Sequence, residues 1–184
     1  MPSSGRGRIL FATCLVLAHV VPAAVVWAVI GAGLAAVPTS VGLLLAIVYA
    51  GVHGCAETFG LRLRAPEVSW AVPSAWLRGR SPAVQAAIWG VTLGPGLVTR
   101  NPYAGMWFVP LLLALGGDPA SGVVAGVLVG ATHGVARAAG ILANHRRRES
   151  AALPWEMMIL HMRIRRMDGI ALLFAAAGLV AIVA

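Results

Sequence analysis

The sequence is poor in charged residues. Only 11% of its 184 residues are Asp, Glu, Lys or Arg, whereas 59% are apolar, and several stretches of at least 16 residues contain no charge at all. The helices of soluble proteins rarely sustain such stretches, because one face must meet water. The composition therefore excludes an ordinary soluble domain and predicts an all-α protein that crosses a membrane several times.

Lysine is absent and only six residues are acidic, so fourteen arginines produce the net charge of +8. These arginines cluster in short segments between the apolar stretches instead of spreading over a polar surface. That distribution is typical of membrane anchoring and cytoplasmic loops. We therefore expect a lipid bilayer around the protein and no nucleic-acid partner.

Cysteine is also scarce. Cys14 and Cys55 lie in separate apolar stretches and neither belongs to a Cys-x-x-Cys pair, which excludes a disulfide scaffold. A soft-metal site that adds His19 and His53 to these thiols is an alternative, but its spacing matches no known ligand signature. We accordingly predict no metal, no cofactor and no catalytic residue.

The chain contains an apparent internal duplication. Comparison at an offset of 80 residues aligns Pro22 with Pro102, Trp27 with Trp107, and His53-Gly54 with His133-Gly134. A repeat of this length determines the topology of a helical protein. The alignment predicts a single membrane domain, residues 1–184, with repeat one at about 9–80, repeat two at about 89–168 and a terminal helix at 169–184.

Each repeat is predicted to be a helical hairpin followed by a basic segment that lies in the membrane interface. The predicted helices run over residues 9–36, 38–61, 89–116 and 119–142. The first helix of each hairpin exceeds the length that a hydrocarbon core of about 30 Å needs. We therefore expect a break in it, at Pro22 in one repeat and at Pro102 in the other.

Charge selects the topology. Five spans place the N-terminus and both basic segments on one side, which the positive-inside rule makes cytoplasmic in a cell (inner) membrane. A sixth span, made by dividing residues 82–116, is the alternative and puts the second basic segment outside. Because five spans enclose little space, a homodimer or a membrane-protein partner is expected.

An N-terminal signal peptide is a further alternative, but its apolar run continues to about Ala36.

Residues 94–107 interrupt the longest apolar region with two prolines, three glycines and Arg100. Helix breakers and a charge are tolerated at membrane depth only where the chain faces protein or water. Backbone N–H groups freed near Gly96 and Thr99, together with the Arg100 guanidinium, favour an anion. Alternatively, Arg100 lies near a membrane surface and extends to the headgroups.

This layout, with Pro22 and Pro102 at equivalent places, resembles the CcdA/DsbD-type transmembrane thiol-disulfide carriers of cytochrome c biogenesis. The resemblance implies three helices in each repeat, in inverted orientation, and a Cys-x-x-Pro motif on each broken helix. The cysteine positions of that motif fall on His19 and Thr99 here. Thiol chemistry is therefore not carried over, and what remains is a central site in a duplicated scaffold.

Two pairs of polar residues share helix faces, His53 with Glu57 and His133 with Arg137. If the repeats face each other, Glu57 neutralises Arg137 and the two histidines stack. This arrangement is either a structural ion pair or a pathway for a proton or a small anion. Small residues recur every four positions and predict close helix packing. They are Gly122, Gly126, Gly130 and Gly134 in the second repeat, and Gly42, Ala46, Ala50 and Gly54 in the first.

The leading interpretation is a small transporter or permease-like protein, not an enzyme. Its central polar site would bind a small solute, with anions among the candidates. Its predicted substrate-binding residues are His19, His53, Glu57, Thr99, Arg100, His133 and Arg137. A non-catalytic accessory or scaffold subunit of a membrane complex is the alternative. A relative of the thiol-disulfide carriers is the weaker alternative, because the motif cysteines are missing.

Overall fold

The computed structural model describes residues 5–61, 63, 70–97, 103–146 and 154–184, and the regular structure in these ranges is helical throughout. The predictions that concern Thr99, Arg100 and Pro102 fall outside the described residues. The helices are α1 (Gly5–Leu34), α2 (Thr39–Thr58), α3 (Ser74–Leu77), α4 (Pro82–Leu93), α5 (Gly105–Leu113), α6 (Pro119–Arg146) and α7 (Pro154–Val183).

Four of these helices contain a stretch long and apolar enough to cross a membrane. These stretches are Arg6–Leu34, Thr39–Thr58, Pro119–Ala143 and Ile159–Val183, and Pro82–Leu93 is a shorter apolar helix. A span of about 20 apolar residues matches the thickness of the hydrocarbon core. The predicted all-α fold is confirmed, and the protein has four candidate membrane-spanning helices. The choice between five and six spans stays a prediction.

The described helices fall into two compact units. Unit 1 consists of Met1–Ile30, Val68–Arg100 and Val123–Ser150, and therefore holds α3, α4 and most of α1 and α6. Unit 2 consists of Gly31–Glu67, Asn101–Gly122 and Ala151–Ala184, and holds α2, α5 and α7. Each unit thus takes helices from both predicted repeats, so neither predicted hairpin forms a unit by itself.

The predicted interruption of the central apolar region is present. The helix expected over residues 89–116 is two helices, because α4 ends at Leu93 and α5 begins at Gly105. Pro95 lacks the N–H that would continue α4, and Gly96 has a φ of +79°, a conformation that glycine adopts without strain. The Gly-Pro-Gly sequence therefore ends the helix for local reasons.

The predicted break at Pro22 is wrong. The helix α1 continues through Pro22 without interruption, although the proline removes the N–H that would bond to the carbonyl of Ala18. Gly90 of α4 packs directly on this carbonyl, since a Cβ at Gly90 would lie 2.7 Å from Ala18 O. Packing by a neighbouring helix allows a membrane helix to tolerate proline.

In unit 1 the glycines of α6 pack against the backbone of α1. A Cβ at Gly130 would lie 2.6 Å from the carbonyl carbon of Ala23 and 2.7 Å from Ala24 Cα, and Gly126 and Gly134 meet Trp27 and His19 in the same way. The sequence positions run in opposite directions, so α1 and α6 are antiparallel. The predicted role of these glycines in close packing is confirmed.

Replacement of Gly130 by Ala should lower the stability of the folded protein by about 1–3 kcal/mol, because the added methyl group overpacks a backbone contact. The change is measured as the thermal unfolding temperature in detergent. Gly140→Ala is the matched control on the same helix, where a Cβ meets no described atom within 4 Å. Alanine is the better helix former, so Gly140→Ala should be neutral or stabilising; equal effects at both positions would contradict this packing.

In unit 2 the small residues of α2 are buried against α5 and α7. Ala46 and Ala50 have no exposed surface and form a core cluster with Ala104, Phe108, Leu172 and Ala176. A Cβ at Gly54 would lie 2.9 Å from Leu173 Cγ. The helix α2 therefore packs mainly on α7, which is distant in sequence.

The terminal helix predicted at 169–184, together with a separate interfacial helix before it, is a single helix in the structure. The helix α7 runs unbroken from Pro154 through Asp168 and Gly169 to Val183. Asp-Gly is a common turn sequence, but here a Cβ on Gly169 would lie 2.6 Å from the amide nitrogen of Thr58. Gly169 is therefore required for close packing of α7 on α2, and it does not mark a turn.

The helix α6 begins at Pro119, as the proline predicts. Before it, Asp118 Oδ1 accepts hydrogen bonds from the amides of Ala120 and Ser121 at 2.9 and 3.0 Å. The hydroxyl and then the amide of Ser121 hold the pKa of Asp118 below its ordinary value. An ionised carboxylate thus caps the positive end of the helix dipole.

Candidate functional site

His19 occupies the most closely packed place in unit 1. It has no exposed surface, and its backbone is covered from two sides. A Cβ at Gly94, after α4, would lie 2.8 Å from His19 O, and a Cβ at Gly134 of α6 would lie 2.7 Å from the same atom. His19 therefore lies where α1, α6 and the end of α4 meet.

A hydrogen bond fixes the protonation pattern of the His19 ring. Nδ1 lies 2.8 Å from the carbonyl oxygen of Leu15, one turn earlier. Because a carbonyl can only accept, Nδ1 is the donor, and Nε2 of the neutral ring carries a lone pair. Nε2 is buried and has no hydrogen-bond partner among the described residues. This nitrogen is available to accept a proton from a bound molecule.

A second histidine and an arginine lie near His19. His133 and Arg137 are one turn apart on α6 and share a face. The Nε2 atom of His133 is buried and likewise lacks a hydrogen-bond partner within the described part of the chain. Gly134, the residue after His133, packs on the backbone of His19, since a Cβ there would lie 2.7 Å from His19 O, and Arg137 lies within electrostatic range of both rings. We call His19, His133 and Arg137 the histidine-arginine cluster.

The helices around this cluster carry only positive charge. The sequences of α1, α3, α4 and α6 contain no Asp or Glu. Arg137 is half-buried within a candidate span, whereas Arg6 and Arg8 lie at the start of α1. The described helices of unit 1 therefore contribute positive charge and no negative charge around the cluster.

Trp27 connects the interruption to α1 within unit 1. Its side chain is fully buried, and its Nε1 donates a hydrogen bond to the carbonyl oxygen of Pro95 at 3.0 Å. That carbonyl follows the end of α4. The indole therefore supplies a donor to the backbone at the start of the interruption.

Glu57 forms a second polar centre, in unit 2. Only 4% of it is exposed, and its Oε1 accepts a hydrogen bond from the amide of Ala104 at 3.0 Å. The next amide, of Gly105, donates to Oδ2 of Asp168 at 2.8 Å. Arg165 Nε lies 3.8 Å from Glu57 Oε1. Two carboxylates thus hold the N-terminus of α5, with one arginine beside them.

The structure distributes the predicted site residues between the units. His19, His133 and Arg137 belong to unit 1, and His53 and Glu57 to unit 2. The predicted pairs Glu57–Arg137 and His53–His133 each join residues of different units and stay predictions. Within unit 2 the cation beside Glu57 is Arg165, and the His53 ring stacks on Tyr49 with centroids 4.3 Å apart.

Several residues of the two centres are not among the predicted site residues, namely Trp27, Tyr49, Arg165 and Asp168. One signal for them was present, because Tyr49, His53 and Glu57 recur every four residues and mark a polar line on α2. Nothing local to Arg165 and Asp168 showed that they face Glu57 from a helix about 100 residues away.

Among the described amides of the interruption, those of Gly96, Ala104 and Gly105 are not free for an anion, whereas the part of the expectation that concerns Thr99 lies outside the described residues. The N–H of Gly96 donates to the carbonyl oxygen of Leu93 at 3.1 Å, and the amides of Ala104 and Gly105 are taken by carboxylates. These three amides of the interruption therefore have internal partners.

The predicted thiols and candidate metal ligands can be located in the described ranges. No group of three or more His, Cys, Asp or Glu is placed to hold a metal ion there. Cys14 belongs to unit 1 and Cys55 to unit 2, and both are free thiols in this part of the chain.

Comparison with known protein families, with curated proteins and with solved structures finds no match to this chain. The class that can be stated is therefore the one defined by its helices. This is an all-α protein with four candidate membrane-spanning helices, two of which contribute the histidine-arginine cluster.

Proposed function

We propose that this chain is a small multi-pass membrane transporter of the permease kind, which binds a small anion at the histidine-arginine cluster. Its place would be the cell (inner) membrane with the N-terminus in the cytoplasm, as the arginine distribution predicts. One observation carries the proposal. His19 and His133 each bury an Nε2 atom that no described group satisfies, inside two candidate spans, and Arg137 lies one turn from His133 on α6.

Burial makes this arrangement expensive unless a ligand completes it. An unsatisfied buried polar atom costs about 1–3 kcal/mol, and two such atoms in helices otherwise packed by glycine and alanine require an explanation. A bound molecule that meets both imidazoles would remove this cost. If the two histidines only filled space between the helices, apolar residues of similar size would do so equally well.

The cluster also restricts the kind of anion. Arg137 attracts negative charge, whereas the lone pair on His19 Nε2 accepts a hydrogen. A monovalent oxyanion that still carries a proton, such as dihydrogen phosphate or hydrogen carbonate, meets both requirements. Halide ions meet only the first, so we expect them to bind more weakly.

The proposal is tested with purified protein in liposomes. The flux driven by an imposed anion gradient is compared for phosphate, hydrogen carbonate, nitrate and chloride against protein-free vesicles. We expect saturable flux of at least one of the two protonated oxyanions, exceeding that of chloride. Equal and unsaturable leakage of all four would contradict transport and would leave the accessory-subunit interpretation as the better one.

A further inference from the structure

The carboxylates of Glu57 and Asp168 are not used by the proposed anion site, and they belong to unit 2. We propose that they form a proton-binding site, in which one proton is taken up on Glu57 Oε2 and shared with Asp168. The inference that this proton is coupled to solute movement rests on the proposed function. The existence of the proton site does not.

The hydrogen bonds around Glu57 leave one oxygen for the proton. Oε1 accepts from the amide of Ala104 at 3.0 Å and lies 3.8 Å from Arg165 Nε. Oε2 is buried and has no hydrogen-bond partner in the described ranges. In Asp168, Oδ2 accepts from the amide of Gly105 at 2.8 Å. Asp168 lies beside Glu57, because the two carboxylates accept from consecutive amides and a Cβ at Gly169 would lie 2.9 Å from Glu57 Cβ. A proton on Glu57 Oε2 turns that oxygen into a donor, and the Asp168 carboxylate can accept from it.

The charge balance also calls for one proton. With both carboxylates ionised, two negative charges face Arg165 and the N-terminus of α5, which counts for about half a positive charge. The guanidinium is partly committed elsewhere, because its NH2 group donates to the carbonyl oxygen of Leu61 at 2.9 Å. A remaining negative charge in a buried place is costly. Uptake of one proton brings the site close to neutrality.

Other titratable groups of the same unit lie close to Glu57. Tyr49 and His53 lie on α2 and stack on each other. Before α5, the hydroxyl of Tyr103 lies 3.3 Å from Nδ1 of His161 on α7. Burial, and then the charges of Asp168 and Glu57, raise the pKa of Tyr103, so this hydroxyl remains neutral.

A metal cation fits the same place less well than a proton. Hard cations take six or more oxygen ligands, and only one carboxylate oxygen of Glu57 is without a donor. The amides of Ala104 and Gly105 and the guanidinium of Arg165 point at these carboxylates and repel a cation. We therefore assign the site to a proton, and the experiment includes sodium as the competing ligand.

The site is tested by infrared titration of the full-length protein in lipid nanodiscs. A protonated carboxyl group has a carbonyl band distinct from the bands of a carboxylate, and the chain has only six acidic residues. We expect a carbonyl band that persists well above pH 4, the ordinary range for Asp and Glu. Glu57→Gln should remove it, because Gln keeps the hydrogen bond from Ala104 but cannot titrate.

Two further variants should move the pH at which the band disappears in opposite directions. Asp168→Asn removes a negative neighbour and should lower that pH by about one unit, tenfold in proton affinity, whereas Arg165→Gln should raise it by about as much. Asp118→Asn, in the exposed cap of α6, is the control and should change nothing. The assignment would be overturned if the band survives in Glu57→Gln, or if it shifts in the same direction in Asp168→Asn and Arg165→Gln.

Exchange of choline chloride for sodium chloride should leave the titration unchanged, and a sodium-dependent shift would instead identify a cation site. Failure of this proposal and failure of the proposed function give different results. If liposomes show no flux but the Glu57-dependent band is present, transport is wrong and the proton site stands. If flux occurs and neither a pH gradient nor Glu57→Gln alters it, the coupling is wrong.

Discussion

Replacement of Arg137 by Gln should abolish the anion flux of the reconstituted protein. The guanidinium is the charged member of the histidine-arginine cluster, and the helices of its unit contain no acidic residue that could substitute for an anion. Removal of one side of a buried charge pair costs about 2–5 kcal/mol. We therefore expect flux to fall about 100-fold, measured as the initial rate in liposomes under an anion gradient.

The control for this prediction is Arg163→Gln, which removes one positive charge from an exposed position on α7. This variant should transport at close to the rate of the unchanged protein. His19→Asn tests the same site without a change of charge and should weaken the preference for protonated oxyanions over chloride. Equal flux from the Arg137 and Arg163 variants would show that the cluster does not bind the solute.

Replacement of Trp27 by Ala should produce a large loss of stability. The indole has no exposed surface, so its removal leaves a cavity in unit 1, for which we expect a cost of about 3–5 kcal/mol. The variant also leaves the carbonyl of Pro95 without its donor. The measurement is thermal unfolding in detergent, with Trp89→Ala as the control, because 40% of Trp89 is exposed.

Phenylalanine substitutions separate the hydrogen bond from the volume. Trp27→Phe fills much of the space but loses the donor to Pro95, so we expect a cost of about 1–3 kcal/mol. Trp107 is the equivalent residue at the offset of 80, and its Nε1 is buried without a partner in the described part of the structure. Trp107→Phe should therefore be neutral or stabilising. Equal costs would mean that the Trp27 hydrogen bond contributes little.

Local chemistry explains what the sequence could predict. The interruption after Leu93 was predictable because Gly-Pro-Gly acts on its own backbone, and Pro119 marks the start of α6 for the same kind of reason. The glycine stripe of α6 was recognisable because a four-residue spacing places small residues on one face. These signals need no knowledge of the partner helix.

The errors occurred where a partner helix decides the outcome. Pro22 does not break α1, because Gly90 of α4 packs on the carbonyl that the proline leaves open. Asp168 and Gly169 do not end α7, because they meet α5 and α2. Long-range packing overrides local preference at such positions.

The sequence could predict which polar residues belong to a site, but not which of them lie together. Polar residues inside apolar stretches single out His19, Glu57 and Arg137 without any structure. Their neighbours depend on which helices pack together, and the pairing of Glu57 with Arg165 joins residues 108 positions apart. The sequence shows that Glu57 needs a partner. The identity of that partner, Arg165, follows only from the packing of α2 on α7.

The central claim is that His19, His133 and Arg137 together bind an oxyanion. The most direct measurement is anomalous X-ray diffraction from crystals soaked in arsenate at mildly acidic pH, where it is a monovalent dihydrogen anion, since arsenic reveals an oxyanion by its own scattering. We expect an anomalous peak within hydrogen-bonding distance of His19 Nε2 and of the Arg137 guanidinium, and no such peak in Arg137→Gln crystals. Anomalous peaks confined to the surface arginines, with none at this cluster, would contradict the account.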